Sequence, residues 1–351
     1  MKVVFTIFKT TLRVTSLFVA VVLSTQVNAA NIVSTVNLYE VQIEISEYVE
    51  RISKEHGLLV EDLNDVLGRA ERKQSIIDAI SRPAERTLKW HEYKKIFHGE
   101  RRIKDGVTFW KNNANTLSIV EKKYGIPAEY IVAIIGVETS YGQNMGSYRV
   151  VDALSTLAFH YPPRSKFFRR ELTQFLLLSR EENIDPFSLI GSYAGAMGYG
   201  QFMPSSYRAY AIDSDLDGRR DIWENTEDAI ASVANYLSEH GWIAGQEVAT
   251  KAFLSDPAIS KIANISLKPA HTISNFQEMG IKSSGFSTFD KPSVEKVSLF
   301  RMELVGGPQY WVGFNNFYAI TRYNHSRLYA LAVHELSQMI SNRFYVDVPE
   351  D

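Results

Sequence analysis

Cysteine is absent from the 351-residue sequence. Its absence excludes disulfide bonds, thiolate metal sites, thiol catalysis and thioether-linked lipid anchors. An excess of positive charge is also lacking, because 38 basic residues stand against 40 acidic ones and the formal net charge is −2. A chain of this charge is not expected to bind nucleic acid, which usually requires a basic face. Long hydrophobic runs are missing too, since no stretch reaches the ~20 apolar residues that a membrane-spanning helix needs.

What the sequence does contain is typical of a folded protein. Hydrophobic residues make up 45% of the chain and aromatic residues 12%, a composition that argues against disorder. At ~150 residues per domain, the length predicts two or three domains or one large fold with insertions.

The first 29 residues have the pattern of a secretion signal. Three basic residues and no acidic one precede a short apolar run at 17–23 (LFVAVVL). Val27-Asn28-Ala29 then supplies the small residues of a cleavage site, so we expect cleavage after Ala29. The alternative is a membrane anchor, but the apolar run is too short to span a bilayer. The sequence therefore predicts that residues 1–29 are removed and that an exported, soluble chain remains.

Helical and strand-like patterns divide the rest of the chain. Residues 30–122 are predicted to form a helical domain, because apolar residues recur there at helical spacing. Residues 123–245 and 310–326 also have a helical pattern, with glycine-rich breaks, and form a predicted core domain. Residues 246–309 are predicted to be a small β-containing insertion, because apolar and polar residues alternate in VEKVSLFRMELV. A C-terminal helix over 327–344 is expected to join the first helical domain. The predicted fold class is mainly α, in an α+β arrangement.

Glu138 is a candidate catalytic acid. Three isoleucines, Ile131, Ile134 and Ile135, recur at helical spacing, and Glu138 follows at i+7 on the same face. A carboxyl group at the end of an apolar face is partly desolvated, which raises its pKa and suits a general acid. Gly142 lies just beyond and is expected to end the helix. The alternative is a carboxylate held at a helix end by a backbone or arginine partner.

Two further segments contain candidate binding groups. Residues 191–206 have the sequence GSYAGAMGYGQFMPSS, which is poor for a core helix but suits a surface that a flat ligand approaches closely. Gln201 offers an amide there, and Phe202 offers an apolar contact. Residues 322–329 (RYNHSRLY) add aromatic and amide groups that suit sugar faces and hydroxyls. The alternatives are a glycine-rich turn without a ligand and a capped helix start.

An aspartate-rich loop matches the calcium-binding pattern D-x-D-x-D-G-x5-E of EF-hands at every required position. Asp213, Asp215 and Asp217 occupy positions 1, 3 and 5, and a glycine supplies the turn at position 6. Arg219 offers its backbone carbonyl at position 7, and Glu224 stands at position 12. Carboxylates this dense need a cation to offset their repulsion, whereas the alternative is a solvated acidic turn. We expect Ca²⁺ to stabilise the fold and not to take part in catalysis.

Motifs of several other enzyme classes are absent. The sequence has no zincin H-E-x-x-H pattern and no phosphate-binding G-x-x-x-x-G-K-[ST] loop. It also has no nucleophile elbow of the G-x-S-x-G type after a strand. These absences argue against a metalloprotease, a P-loop nucleotidase and a serine hydrolase of that type.

Five motifs together resemble the lytic murein transglycosylase B family. They are VETSYG, AGAMGYGQFMPSSY, the aspartate-rich loop, SVANYL and NFYAITRYNHSRLYALAV, and they follow the family's order over roughly residues 126–335. The resemblance implies a lysozyme-like catalytic core flanked by a helical domain and a small β domain. It implies non-hydrolytic cleavage of the β-1,4 bond between N-acetylmuramic acid and N-acetylglucosamine, which leaves a 1,6-anhydro ring. The expected partner is therefore the peptidoglycan glycan strand, and the expected location is the periplasm.

The resemblance also implies which residues act. Glu138 would be the single acid and base: it protonates the glycosidic oxygen, and it later deprotonates the muramyl C6 hydroxyl that attacks C1. The N-acetyl carbonyl of the substrate would stabilise C1 in between. Tyr329 would lie near the reacting centre, and Asn324 would hydrogen-bond the N-acetyl region. The residues implied to line the groove are Ser192, Gln201, Phe202, Tyr236, Tyr323, Asn324 and Tyr329. In the family the last calcium ligand lies farther along the chain, which leaves Glu224 or Asp228 to complete that site.

Two other functions stay open at this point. A hydrolytic muramidase of the same lysozyme-like fold would use water and give a reducing end. A non-catalytic peptidoglycan-binding protein with a calcium-stabilised fold would bind the strand and leave it intact. Glu138 and the glycine-rich segment favour an enzyme. The sequence identifies no protein partners and does not distinguish exo from endo cleavage.

Overall fold

The computed structural model describes residues 40–82, 88–286 and 294–346. Over these residues the protein is mainly helical, with one five-stranded and one two-stranded sheet. The predicted fold class, mainly α with a small β region, is therefore confirmed. Within the described ranges, no helix is both long enough and apolar enough to cross a membrane. The predicted secretion signal at 1–29 lies outside the described residues.

The first three helices pack against the middle of the chain. The elements that form this group are α1 (40–56), α2 (Val60–Arg69), α3 (Gln74–Ser81), α8 (Val150–His160) and α9 (Ser165–Glu181). They bury a common hydrophobic core, in which the Tyr48 hydroxyl lies 3.0 Å from Thr173 Oγ1. Near its edge, the Glu71 amide donates to the buried Asp152 carboxylate at 2.8 Å. The N-terminal helices are thus anchored directly onto the segment that follows the candidate catalytic helix.

A second group of helices surrounds the helix that carries Glu138. Its members are α4 (Trp90–Phe97), α5 (Glu100–Asn112), α6 (Ala114–Tyr124), α7 (Ala128–Thr139) and α14 (Arg327–Val346). Helix α7 lies at the centre, and Glu129 and Glu138 are its only residues that are not buried. The sequence predicts a single apolar face on this helix, but α5, α6 and α14 all contact it and enclose it on nearly every side. At the far end of α14, the Phe344 ring stacks on Trp110 with the centroids 4.3 Å apart.

The five-stranded sheet forms a third packing unit. Its elements are β3 (Ala249–Leu254), β4 (His271–Thr272), α12 (Ile273–Glu278), β5 (Ile281–Ser283), β6 (Lys296–Leu304) and β7 (Gly307–Gly313). The strands pair antiparallel in the order β4-β6-β7-β3-β5, and a tight hairpin joins β6 to β7 with Leu304 opposite Gly307. Phe276 and Phe314 are enclosed in the core of this unit. The strand expected within VEKVSLFRMELV is β6.

The remaining elements carry or directly flank most of the predicted groove residues. They are β1 (Tyr148–Arg149), β2 (Ile190–Gly191), α10 (Pro204–Tyr210), α11 (Thr226–Glu239) and α13 (Asn315–Tyr323). Strands β1 and β2 pair antiparallel, with Tyr148 opposite Gly191. Beyond β2, Met197 forms bridges with both Gly191 and Phe202. These pairings hold the glycine-rich segment beside the end of α7.

Candidate active site and calcium loop

Glu138 lies in the last turn of α7. The helix ends at Thr139, and Ser140 adopts the left-handed conformation with φ 53°. The Ser140 amide donates to Gly136 O at 3.1 Å and closes the helix there. The expectation that Gly142 ends the helix is therefore wrong by two residues. Gly142, with φ 86°, continues the sharp turn that starts at Ser140.

The hydroxyl of Thr139 connects the end of this helix to the glycine-rich segment. Thr139 is fully buried, and its Oγ1 lies 3.0 Å from Tyr199 O and 3.1 Å from Ile135 O. The same oxygen accepts a hydrogen bond from the Gly142 amide at 3.0 Å. These contacts fix the position of Glu138 relative to the segment that follows β2. Thr139 was not among the predicted site residues, and the signal in the sequence that points to it is its place beside Glu138 in VETSYG.

Two tyrosines from the C-terminal part of the chain lie beside Glu138. Tyr329, in the first turn of α14, donates its hydroxyl to Glu138 Oε1 at 2.6 Å. Tyr323, at the end of α13, donates to Gly200 O at 2.6 Å, and its ring stacks on that of Tyr329. Burial raises the pKa of both phenols well above the usual value, and the charge of Glu138 raises it further. Both hydroxyls therefore stay protonated at neutral pH and remain hydrogen-bond donors.

The glycine-rich segment forms a series of tight turns. Met197 and Phe202 exchange two backbone hydrogen bonds of 2.9 Å. Gln201 between them has φ 49°, and its Nε2 donates to Met145 O at 3.2 Å. Ser192 Oγ accepts from two amides of its own turn, at 3.0 and 3.3 Å. The half-buried side chains of Ser192 and Gln201 thus brace the backbone of the predicted groove.

Phe202, Tyr236 and Tyr323 form an aromatic cluster behind the site. Their ring centroids are 4.7 to 5.9 Å apart. The Tyr236 hydroxyl donates to Arg322 O at 2.6 Å. Phe202 is 2% exposed and Tyr236 is 8% exposed, so both mainly support Tyr323 and offer a ligand little surface.

Asn324 lies at the edge of a separate cavity of about 920 Å³. Tyr93, Arg164 and Arg327 also line this cavity, together with residues 264–267 from the sheet region. Asn324 itself is exposed. Tyr329 therefore contacts Glu138, and Tyr323 contacts Tyr329. Asn324 lies instead at the edge of the neighbouring cavity.

The aspartate-rich loop brings three carboxylates together. Asp213, Asp215 and Asp217 each offer an oxygen, and these oxygens lie within 4.8 Å of one another. Gly218 has φ 90°, which lets its amide turn inward and donate to Asp213 Oδ2 at 3.0 Å. Asp213 Oδ1 is buried, and no described protein group donates a hydrogen bond to it. The three carboxylates, which include this oxygen without a hydrogen-bond donor, fit a hard cation such as Ca²⁺.

The two candidates for the last calcium ligand occupy different environments. Asp228 is fully buried, and its two oxygens accept from the amides of Ser214 at 2.7 Å and Asp221 at 2.8 Å. Burial raises the pKa of Asp228, and the nearby Asp215 and Asp213 carboxylates raise it further. Glu224 is exposed. Neither belongs to the group of three converging carboxylates in the described residues, and Asp228 braces both ends of the loop.

Comparison with known proteins places this site in a family. Residues 41–338 match the family described as Transglycosylase SLT domain. The chain is 39% identical to membrane-bound lytic murein transglycosylase B of Escherichia coli strain K12, over 84% of this chain and 82% of that protein.

Solved structures agree with this match. The crystal structure of soluble lytic transglycosylase SltB1 from Pseudomonas aeruginosa has a TM-score of 0.81 and 48% identity, covering 86% of this chain and 99% of the other. An Escherichia coli lytic transglycosylase in complex with calcium has a TM-score of 0.77 and 39% identity, covering 86% and 93%. The matched region contains both Glu138 and the aspartate-rich loop. The chain therefore belongs to the lytic murein transglycosylase family with the Transglycosylase SLT domain.

Proposed function

We propose that this protein cleaves peptidoglycan glycan strands between N-acetylmuramic acid and N-acetylglucosamine and leaves a 1,6-anhydro end. The observation that carries the proposal is the 2.6 Å hydrogen bond from Tyr329 to Glu138, made where α7 ends beside the glycine-rich turns. It holds one carboxyl group in a fixed orientation at a half-buried position. The family to which the chain belongs carries out this chemistry.

In the proposed reaction Glu138 acts twice. It first gives its proton to the glycosidic oxygen, so that the bond to C1 of the muramyl sugar breaks and the leaving sugar departs as an alcohol. The N-acetyl carbonyl of the substrate stabilises C1 meanwhile. The Glu138 carboxylate then takes the proton of the C6 hydroxyl as that oxygen bonds to C1. The carboxyl group ends in the protonation state in which it began.

Tyr329 has a positioning role in this scheme. Its hydroxyl donates to one carboxylate oxygen, Oε1, and so fixes the orientation of the carboxyl group that exchanges the proton with the substrate. The high pKa of the buried phenol prevents Tyr329 from competing as an acid at neutral pH. Tyr323 holds the Tyr329 ring by stacking and is itself tied to Gly200 O.

Ser192, Gln201, Tyr323 and Asn324 are proposed to contact the sugars. Ser192 and Gln201 present hydroxyl and amide groups from half-buried turns, which suits hydrogen bonding to sugar hydroxyls and N-acetyl groups. Asn324 is exposed at the mouth of a large cavity, where its amide is accessible. Phe202 and Tyr236 are proposed to act by supporting Tyr323, because both are buried behind it.

Ca²⁺ is the proposed structural ion of the loop. Asp213, Asp215 and Asp217 supply converging oxygens, and the backbone carbonyl of Arg219 stands at the position that EF-hands use. When bound, the ion neutralises the repulsion between these carboxylates. Asp228 is proposed to complete the site from within, because it is buried close to Asp213, whereas Glu224 is exposed.

The proposed location is the periplasm, after removal of residues 1–29. The basic leader, the short apolar run and the cleavage site after Ala29 support it. Mass spectrometry of the protein recovered from the periplasmic fraction would test this, since the expected product starts at Ala30. Recovery of the uncut chain from the membrane fraction would contradict it.

Muropeptide analysis tests the proposed reaction. Purified peptidoglycan is incubated with the protein, with Glu138→Gln and, as a matched control, with Glu129→Gln, which alters the other unburied carboxylate of α7. We expect products lighter by one water than hydrolytic ones and resistant to borohydride, from the unaltered protein and Glu129→Gln only. Reducible products would identify a muramidase and overturn the anhydro mechanism. Strand binding without any product, in a folded protein with calcium present, would point to a binding protein.

A further inference from the structure

A pocket of about 500 Å³ lies between the end of the glycine-rich groove and the aspartate-rich loop. Its volume is within the range of small-ligand sites. Met145, Ile190 and Trp223 supply apolar surface, and Glu182, Arg219 and Asp221 supply polar edges. Neither the proposed reaction nor the proposed calcium site requires this pocket.

The pocket adjoins the residues proposed to form one end of the groove. Met145 lines it, and the Met145 carbonyl accepts the hydrogen bond from Gln201. Gly146 lines it too and lies directly against the backbone of Gly191 and Ser192, where an added Cβ would approach Gly191 O to 2.0 Å. Ser192 and Gln201 are proposed sugar contacts. The pocket therefore lies directly beside the residues that form the end of the groove.

Most of the charged groups that line the pocket already form hydrogen bonds with other groups of the protein. Arg220 Nε donates to Glu182 Oε1 at 2.7 Å. Asp221 Oδ1 accepts from the amides of Trp223 and Glu224, both at 2.9 Å. Charges of both signs that are already paired do not favour a strongly anionic or cationic ligand. Apolar surface with a polar rim suits instead a neutral ligand that has both apolar faces and hydroxyl groups.

Trp223 contributes a ring and an unused donor. It lines the pocket and packs on Tyr207 with the ring centroids 5.5 Å apart. Its indole Nε1 is buried and donates to no acceptor in the part of the chain that the structure describes. A pyranose combines these requirements, because its ring has an apolar face and its hydroxyls accept hydrogen bonds.

We propose that this pocket is a distal subsite that binds sugars of the same glycan strand beyond those held around Glu138. The proposal rests on the proposed function, since it assumes that the groove holds a glycan strand. One wall of the subsite belongs to the aspartate-rich loop, through Arg219, Asp221 and Trp223. The subsite would make the protein bind long strands more tightly than short ones.

Binding of strands of two lengths tests the proposal. Peptide-free glycan strands, a tetrasaccharide and a dodecasaccharide, are titrated calorimetrically into Glu138→Gln, which keeps them intact. Ile190→Arg is then added on this background to fill the pocket with a long charged side chain. Ile190 is 40% exposed, so the substitution is compatible with folding. Leu216→Arg is the matched control, because Leu216 is 84% exposed on the aspartate-rich loop, which forms one wall of the pocket, but does not itself line the pocket.

We expect Ile190→Arg to raise the Kd for the dodecasaccharide about tenfold and to leave the Kd for the tetrasaccharide unchanged. Leu216→Arg should change neither Kd. Trp223→Phe, which keeps an aromatic side chain but removes the indole N–H, should also weaken only the binding of the long strand. Thermal melting of each variant verifies that it is folded.

Three results would overturn the subsite. Equal affinity of Glu138→Gln for both strands would show that nothing beyond the groove contributes. Equal weakening of both strands by Ile190→Arg would show that this residue acts on the groove itself. Unchanged binding of the long strand by folded Ile190→Arg and Trp223→Phe would exclude the pocket. Absence of binding to either strand would instead refute the proposed function, and the subsite with it.

Discussion

Gly146 is a position where adding a single methyl group should displace the backbone of the groove. Its φ is +104°, a conformation that residues with a side chain rarely adopt. An added Cβ would lie 2.0 Å from Gly191 O, 2.1 Å from Gly191 C and 2.5 Å from Ser192 N. All three neighbours are backbone atoms of the paired strand and its turn, so no side-chain rotation can relieve the clash. Gly146→Ala must therefore move the backbone that carries Ser192.

The size of the effect follows from two contributions. A side chain in the left-handed region costs ~1–2 kcal/mol. Overpacking against fixed atoms costs ~1–3 kcal/mol. Together they lower the free energy of unfolding by about 2–5 kcal/mol. In a chain of this size each kcal/mol shifts Tm by ~2 °C, so Gly146→Ala should lower Tm by about 4–10 °C.

Gly245→Ala is the matched control. Gly245 has φ +74°, and an added Cβ there would meet nothing within 4 Å. It carries the conformational cost alone, ~1–2 kcal/mol, and should lower Tm by about 2–4 °C. Thermal unfolding and peptidoglycan cleavage are measured for both variants. Gly146→Ala should also raise KM for peptidoglycan, whereas Gly245→Ala should not. Equal losses of Tm in the two variants would refute the argument, because the clash would then contribute nothing.

Three further predictions concern other parts of the molecule. Tyr329→Phe removes the hydrogen bond to Glu138 and should lower kcat about 10- to 100-fold in peptidoglycan turnover, since a hydrogen bond to a charged group contributes ~1.5–3 kcal/mol. EGTA should lower Tm by a few degrees, because ~1 mM Ca²⁺ bound with a Kd of ~10⁻⁴ M stabilises by ~1.4 kcal/mol. Burial lowers the pKa of His334 to about 4 from its ordinary 6.5. The folded state then resists protonation that the unfolded chain accepts, so the contribution of His334 to stability is full above pH 6.5 and falls by about 3 kcal/mol as the pH drops to 4, measured by denaturant unfolding of the protein and of His334→Gln.

Each of these predictions has its own control. Tyr318→Phe alters a tyrosine of α13 for which no hydrogen bond to Glu138 is found among the described residues, and kcat should be unchanged. Asp213→Asn should melt at the same temperature with and without EGTA. His334→Gln should lose most of the stability change between pH 6.5 and pH 4. A kcat for Tyr329→Phe equal to that of Tyr318→Phe, an EGTA effect that persists in Asp213→Asn, or an unaltered pH slope in His334→Gln would each contradict the corresponding reasoning.

Features that are local in the chain could be predicted from the sequence. The aspartate-rich loop is contiguous, so its spacing alone brings Asp213, Asp215 and Asp217 to one point. The helix that carries Glu138 was predictable from its apolar residues. Its end was not, because Ser140 accepts a left-handed conformation that propensity assigns to glycine, in a turn stabilised by the Thr139 hydroxyl.

Features that join distant parts of the chain could not be derived from spacing. The place of Tyr329 near the reacting centre was implied only by the resemblance to a family, because no periodicity relates residue 329 to residue 138. Whether a groove residue is exposed or buried could not be predicted from the sequence either. Phe202 and Tyr236 belong to motifs of the family, yet both lie behind Tyr323 and are almost fully enclosed. The pocket beside the aspartate-rich loop is lined by Gly146, which packs against the backbone of Gly191. No local sequence pattern predicts this contact.

The 191-residue separation between Glu138 and Tyr329 has a consequence for the cell that makes this protein. A ribosome synthesises the acid long before the phenol, and α14 closes the core around α7 only after residues 327–346 have followed. A nascent chain that ends before Tyr329 therefore carries Glu138 without the partner that orients it. The order of synthesis thus keeps the carboxyl group of Glu138 and the phenol of Tyr329 from pairing until residue 329 has been made.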